Sequence, residues 1–397
     1  MMKAPTPSPH NSTGRLADLD GVRAIAIWMV LTLHMLYGYA NGPTNLDFVP
    51  APLRFVASHG WLGVDLFFVL SGFLITGILL GSKKQPHYFR NFYIRRVLRI
   101  MPLYFTVVAV WAIFYTRYEG YFLLSSIFCA NLSHVLHVRT PHGPSVLWSL
   151  AIEEQFYLFW PLIVFLTNRR TLLFLTSAII IVSPVLRAVY AARGMNPEII
   201  YVVTCFRLDG LAVGALLALF LSTGQQSRRL SVYVASALML CFVAMTIIGK
   251  PYGLLGTKTV VSIALRNTQA YLVFAAFMIV VLAYRNTIWT SPLRWRFLQL
   301  SGALSYCLYL IHLSIGDGYE ALMQKWHIDL GKTIGYPNAV MVRAFAILTI
   351  SFAIAMLSRK YLEQPFLSLK DRFTEAAPVR SQVVDEEADA SLVRKGL

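Results

Sequence analysis

The chain has 397 residues, 57% of them hydrophobic and only 14% charged, with a formal charge of +16 at pH 7. Soluble chains carry about 25% charged residues, so this composition excludes a water-soluble globular enzyme and implies a polytopic membrane protein. The Lys and Arg sit mostly in short loops, where cytoplasmic retention and anionic membrane lipid account for them and no nucleic-acid partner is called for.

The first 17 residues, MMKAPTPSPHNSTGRLA, are rich in Pro and Ser and read as a disordered lead-in without a signal-peptide core. Ten spans are predicted after it, at 22–40, 61–80, 98–116, 147–167, 172–190, 205–222, 231–248, 269–284, 300–316 and 340–360. The apolar segment 121–130 is too short to cross. A polar tail is expected over 372–397, which leaves 18–371 as one integral-membrane domain. With the N-terminus inside, the inner loops hold 13 Lys/Arg in 46 residues and the outer loops 9 in 107, which places both termini in the cytoplasm of an inner membrane. Cys129, Cys205, Cys241 and Cys307 show no CxxC and no regular spacing, so neither a disulfide framework nor a metal site is expected.

The stretch Asp20–Tyr39, DGVRAIAIWMVLTLHMLYGY, carries Arg23 and His34 inside an apolar span. An Arg at a helix centre costs about 2.5–3.5 kcal/mol, so ionisable groups there mark function by default. The two are eleven residues apart, almost three whole turns, which puts both on one helix face roughly 16 Å apart.

Sorting the other polar residues by depth extends this pattern. His34, Asp65, Glu153, Glu154, Asp209 and His312 fall in outer halves of spans; Arg23, Arg95, Arg96 and Arg99 fall at the inner side. An inner Arg cluster suits a cytosolic anion, above all phosphate, because the guanidinium fork pairs it bidentately. An outer His–carboxylate pair suits proton abstraction. Plainer readings stand beside these. The arginines anchor a positive inner face, Glu153 or Glu154 pairs with Arg207 or Arg187, Asp209 caps a helix, Asp65 faces the interface, His312 is structural, and Ser71 with Gly72 lets helices pack closely.

Taken in order, seven stretches resemble the membrane-integral O-acyltransferases of the acyltransferase-three family: LDGVRAIAIWMVLTLHM, GVDLFFVLSGFLIT, FYIRRVLRIMPLY, WSLAIEEQFYLFWP, FRLDGLAVGALLA, SYCLYLIHL and LEQPF. The resemblance covers about residues 16 to 370 and implies an all-α bundle of about ten transmembrane helices with a through-membrane polar site. It implies acyl-coenzyme A, acetyl above all, as cytoplasmic co-substrate, with no metal. The implied acceptor is a hydroxyl of a carbohydrate, glycolipid or macrolide-type molecule at the membrane or beyond it.

Carried over by residue, His34 is the expected base, supported by Glu153 or Glu154. Arg23 is its signature partner, and Arg96 and Arg99, with Arg95 beside them, are expected to hold the donor phosphates. Ser71, Tyr306 and Tyr309 are candidates for the oxyanion donor, while Asp65, Asp209 and His312 complete the substrate-site candidates. With only about 26 residues after the bundle, the chain looks like the stand-alone form. The competing class is a transporter or flippase of a glycolipid or solute, since many spans with buried charges are also a transporter's profile. A third is an acyl-responsive membrane scaffold, which binds donor without turnover.

Overall fold

A computed structural model describes residues 17–37, 46–222, 227–256 and 258–373; nearly all of both expected tails lies outside these residues. Among the described residues there is no strand, and nine helices are long and apolar enough to cross a membrane. The protein is a multi-pass all-α membrane protein. Ten helices correspond to the ten predicted spans: α1 (Ala17–Tyr37), α2 (Leu62–Ser82), α3 (Tyr88–Phe114), α4 (Leu147–Leu166), α5 (Arg169–Ala192), α6 (Leu208–Leu221), α7 (Arg228–Gly249), α8 (Val260–Ala283), α9 (Arg296–Lys325) and α10 (Tyr336–Ser358).

The sixth departs from expectation. Its 14 residues reach roughly 21 Å, short of the ~30 Å hydrocarbon core, so α6 does not match the other nine in length. A short helix, Pro197–Val202, and a 3-10 turn, Thr204–Phe206, lead into it. Broken backbone inside a membrane bundle needs partners for its carbonyls. Arg187 of α5 supplies one, donating Nη1 to the Phe206 carbonyl at 2.5 Å and Nε to the Ala264 carbonyl at 2.9 Å.

The third helix departs the other way. It begins at Tyr88, ten residues before the predicted boundary, because hydropathy rejects the Arg-bearing YFRNFYIRR although it continues the helix. Arg96 and Arg99 therefore lie eight and eleven residues inside α3, roughly 12 and 16 Å along it. The arginines reach into the bundle instead of marking its edge.

Between helices in lipid there is little hydrophobic drive to associate, so close packing through small residues does that work. The tight α2–α6 contact shows it. A Cβ on Gly72 would sit 2.0 Å from the Leu211 carbonyl oxygen, and one on Gly214 would sit 2.0 Å from that of Val69. Any side chain at either position pushes the two helices apart. A similar approach joins α1 to α9, where a Cβ on Gly302 would sit 2.0 Å from the Asp20 carbonyl oxygen; beside it Trp28 donates Nε1 to Ser301 Oγ at 3.2 Å and lies against Phe297 of α9 and Phe352 of α10.

Candidate active site

The buried charges fall into three groups. The first is closed. Arg207 Nη2 meets Asp65 Oδ1 at 2.5 Å and Arg187 Nη2 meets Asp209 Oδ2 at 2.8 Å, with all four side chains at most 1% exposed. Asp65 also accepts from Tyr271 OH at 3.0 Å and Asn267 Nδ2 at 3.2 Å, while Arg207 lies over the Tyr201 ring at 4.7 Å. The substrate-site candidates Asp65 and Asp209 are thus committed to ion pairs that tie α2, α5, α6 and α8 together. The arginines they engage are the two that sequence reasoning offered to Glu153 and Glu154. Asp209 is not a helix cap, since Arg207 occupies that place.

The second group is open. A cavity of about 730 Å³ lies between α1, α2, α3, α4 and α9, and its lining includes Arg23, Arg96, Arg99, Ser71, Glu153 and Tyr157. Glu153 accepts from Ser71 Oγ and from Tyr157 OH, each at 3.0 Å, and Arg96 lies over the Tyr157 ring at 4.4 Å. Arg23 keeps Asp20 as a partner at 2.9 Å. Among the described residues, neither Arg96 nor Arg99 has a carboxylate within ion-pair distance. With Arg23 balanced by Asp20, Arg96 and Arg99 still outnumber Glu153, which leaves the lining of this cavity electropositive and a fit for an anion. Arg95 is not part of the lining, and neither is Glu154, which is buried. Of the oxyanion candidates, Tyr306 donates to the Ile100 carbonyl at 3.2 Å, and Tyr309 is bonded to Ser149 Oγ at 2.6 Å.

His34 belongs to a third group, at the other end of the bundle. It lines a cavity of about 1210 Å³ with His312, His142, Tyr115, Asp317 and Arg343, among others. The expected partnership with Glu153 or Glu154 is not formed, because Glu153 faces the Arg-lined cavity. His312 takes its place, with Nε2 3.1 Å from His34 Nδ1.

The hydrogen bonds assign the tautomers. His312 Nδ1 faces two carbonyl oxygens, Tyr309 at 2.8 Å and Leu308 at 3.1 Å, so it carries the proton and Nε2 is an acceptor. His34 Nδ1 faces that acceptor and the Val30 carbonyl at 3.0 Å, so it too carries the proton. The lone pair of His34 is therefore on Nε2. Arg343 of α10 fixes the end of α1 by donating Nη1 to the Met35 carbonyl at 3.2 Å, with Nε held by Glu320 at 2.7 Å. A cation at those last carbonyls also suits the negative end of the helix dipole.

Sequence reasoning missed one assembly in this cavity. His142 Nδ1 meets Asp317 Oδ1 at 2.6 Å, and Asp317 Oδ2 accepts from Tyr115 OH at 2.9 Å and from the Gly143 amide at 2.8 Å. The His142 imidazole, outside the spans, is pushed above its usual range by the hydrogen bond it donates to Asp317. Asp317 falls one residue beyond the predicted span 300–316, so it passed for a loop residue.

The two cavities share no lining residue. Tyr309 stands between them: it lines the Arg-bearing cavity, and its ring centroid is 6.0 Å from that of His312 one turn on. Phe67 packs edge-on against the same ring at 6.2 Å.

The profile of the acyltransferase-three family, described as an acyltransferase domain, matches residues 16–358. The chain belongs to that family. It is 29% identical over 387 residues to the peptidoglycan O-acetyltransferase OatA of Listeria monocytogenes, covering 88% of this chain and 55% of that protein. It is 29% identical over 333 residues to YrhL of Bacillus subtilis, which is provisionally assigned peptidoglycan O-acetyl transfer, covering 76% of this chain and 48% of that one. With the O-acetyltransferase OatA of Staphylococcus aureus (strain NCTC 8325) it shares 26% identity over 331 residues, 76% of this chain and 50% of the relative. The chain thus spans about half the length of these curated relatives. No solved structure gives a significant match.

Proposed function

We propose that the protein transfers an acyl group, acetyl above all, from cytoplasmic acyl-coenzyme A to a hydroxyl of a carbohydrate acceptor at the opposite end of the bundle. The observation that carries this reading is the setting of His34: Nδ1 lies 3.0 Å from the Val30 carbonyl oxygen and 3.1 Å from His312 Nε2, which assigns the proton to Nδ1 and leaves Nε2 able to take another. A general base so placed typically contributes about 10²–10⁴-fold. Arg23, Arg96 and Arg99 hold the donor's phosphates in the electropositive cavity, which puts that end of the bundle in the cytoplasm, in agreement with the loop charges.

In the step itself, Nε2 of His34 accepts the proton of the acceptor hydroxyl as its oxygen attacks the thioester carbonyl. The imidazolium keeps Nδ1–H on His312 Nε2, a bond strengthened by the charge and standing where a carboxylate serves in other dyads. Collapse of the tetrahedral carbon breaks the carbon–sulfur bond, and His34 returns its proton to the departing thiolate. The donor arm has to pass Tyr309, so the Tyr309–Ser149 bond opens in each cycle. His142, oriented by Asp317, binds the acceptor's polar groups at the mouth of the same cavity.

The purified protein in lipid nanodiscs, given radiolabelled acetyl-coenzyme A and a β-linked N-acetylhexosamine oligosaccharide, tests this. Alkali-labile label on the sugar, with one thiol released per ester, is expected. Thiol release no greater than from empty nanodiscs, over a panel of hydroxyl acceptors, contradicts it.

A further inference from the structure

Arg266 has no role in the transfer just described, and its surroundings are unusual. It lies six residues into α8, roughly 9 Å along that helix. Among the described residues it has no carboxylate partner; its guanidinium sits over the Trp61 ring at 4.5 Å, and its Nε is buried without a hydrogen-bond acceptor. A cation held at membrane depth without a counter-charge is costly, and a ligand that brings the missing anion removes the cost.

Two cavities meet at this residue. One, about 1660 Å³, is an apolar groove walled by Met29, Leu62, Phe242, Leu255, Val273 and Phe274 among others. The second, about 1690 Å³, is a cleft with aromatic rings and polar groups together, including Trp148, Tyr201, Glu198 and His142. Trp61 and Arg266 line both. The aromatic cleft in turn shares Tyr118 and His142 with the cavity of His34. The order of environments is therefore hydrocarbon, then the Arg266 guanidinium, then a tilted pair of rings with hydrogen-bonding groups, then the imidazole pair.

We infer that the acceptor is a phosphate-linked glycolipid. Its hydrocarbon chain lies in the apolar groove, its phosphate on Arg266, and its sugar on the Trp148–Tyr201 pair, whose ring centroids are 5.1 Å apart. Sugar C–H faces pack on aromatic rings, and the neighbouring carboxylate and imidazole take the hydroxyls. This carries one hydroxyl toward His34. Charge selects the ligand: an apolar groove alone takes any lipid, whereas one closed by an unpaired guanidinium prefers an acidic head. The inference rests on the acyl-transfer reading for the purpose of the site, but its test does not.

Native mass spectrometry on the detergent-solubilised full chain, titrated with three probes sharing one prenyl chain, decides it: geranylgeraniol, geranylgeranyl phosphate and geranylgeranyl-phosphate-linked N-acetylglucosamine. The expected order of affinity rises from the alcohol to the phosphate to the phospho-sugar. Arg266→Gln, which keeps size and polarity, should erase the advantage of phosphate over alcohol, a loss of about tenfold or more. Val273→Trp, filling the groove, should weaken all three probes and leave the binding of acetyl-coenzyme A unchanged. Equal binding of alcohol and phosphate, indifference to Arg266→Gln, or equal competition by phosphatidylglycerol against the phospho-sugar each overturns the assignment. Because binding is read without turnover, a failure here leaves acyl transfer standing, and inactive protein leaves this binding test intact.

Discussion

Two clusters of charge inside the bundle are built in opposite ways. Around Asp65 and Asp209 each carboxylate has its own guanidinium and the side chains are at most 1% exposed; Tyr271 and Asn267 add bonds to Asp65, and backbone carbonyls add bonds to Arg187. Around Glu153, Arg23 keeps Asp20, while the guanidinia of Arg96 and Arg99 have no carboxylate within ion-pair distance among the described residues and face a cavity. In lipid an isolated charge is expensive wherever it sits, so a closed cluster holds helices in register and an open one is kept for a ligand that completes it.

Breaking the closed cluster gives the largest expected effect on stability. Arg207→Ala strands Asp65 and should cost about 3–5 kcal/mol, read as a lower unfolding midpoint and loss of folded protein in detergent. The paired change Asp65→Leu with Arg207→Met should recover most of that loss; a double variant as unstable as the single one breaks the comparison.

Opening the other cluster further should behave in the reverse sense. Arg99→Ala is expected to leave the unfolding midpoint within about 0.5 kcal/mol of the parent. Its affinity for acetyl-coenzyme A should fall by the worth of one charge-assisted bond, about 1.5–3 kcal/mol, measured by calorimetry. A stability loss equal to that of Arg207→Ala would show that Arg99 is scaffold.

The wall between the cavities comes next. Tyr309→Phe removes the bond to Ser149 and loosens the partition by about 0.5–1.5 kcal/mol. The expected outcome is a several-fold rise in acceptor-independent donor hydrolysis, and an unchanged hydrolysis rate argues against a gate at this position.

The smallest effect is that of His142 on pH dependence. Its hydrogen bond to Asp317 raises the imidazole's range in the folded protein. The stabilisation is therefore fully present below the ordinary histidine value of about 6.5 and is lost as pH rises through the elevated one. Since the ring is largely exposed, screening limits the change to no more than about 1 kcal/mol. Melting curves from pH 5.5 to 8.5 should slope more for the parent than for Asp317→Asn; parallel curves would remove the assigned coupling.

Much of this was legible in the residues themselves. Arg23, Arg96, Arg99 and Glu153 stand out because a charge within an apolar run is visible without coordinates, and the structure brings those four to one cavity. What hydropathy could not give was depth along α3, since its arginines mask the helix that carries them. Partners were harder still. Glu153 and His34 lie at similar counted depth, but the rotation of α4 turns Glu153 to Ser71 and Tyr157. His312, one polar residue on an apolar face, gave no sign that its tautomer was set by two carbonyls of its own helix and that it met His34 across 278 residues of chain. The His142–Asp317 contact joins a loop to a position just past a predicted span, which no local pattern encodes.

The central claim is that His34 takes the acceptor's proton, and a single-turnover measurement addresses it most directly. With the protein in nanodiscs and donor saturating, His34→Gln should cut acyl transfer by about 10²–10⁴-fold while donor affinity and the unfolding midpoint stay at parent values. Transfer at the parent rate by that variant would contradict the account.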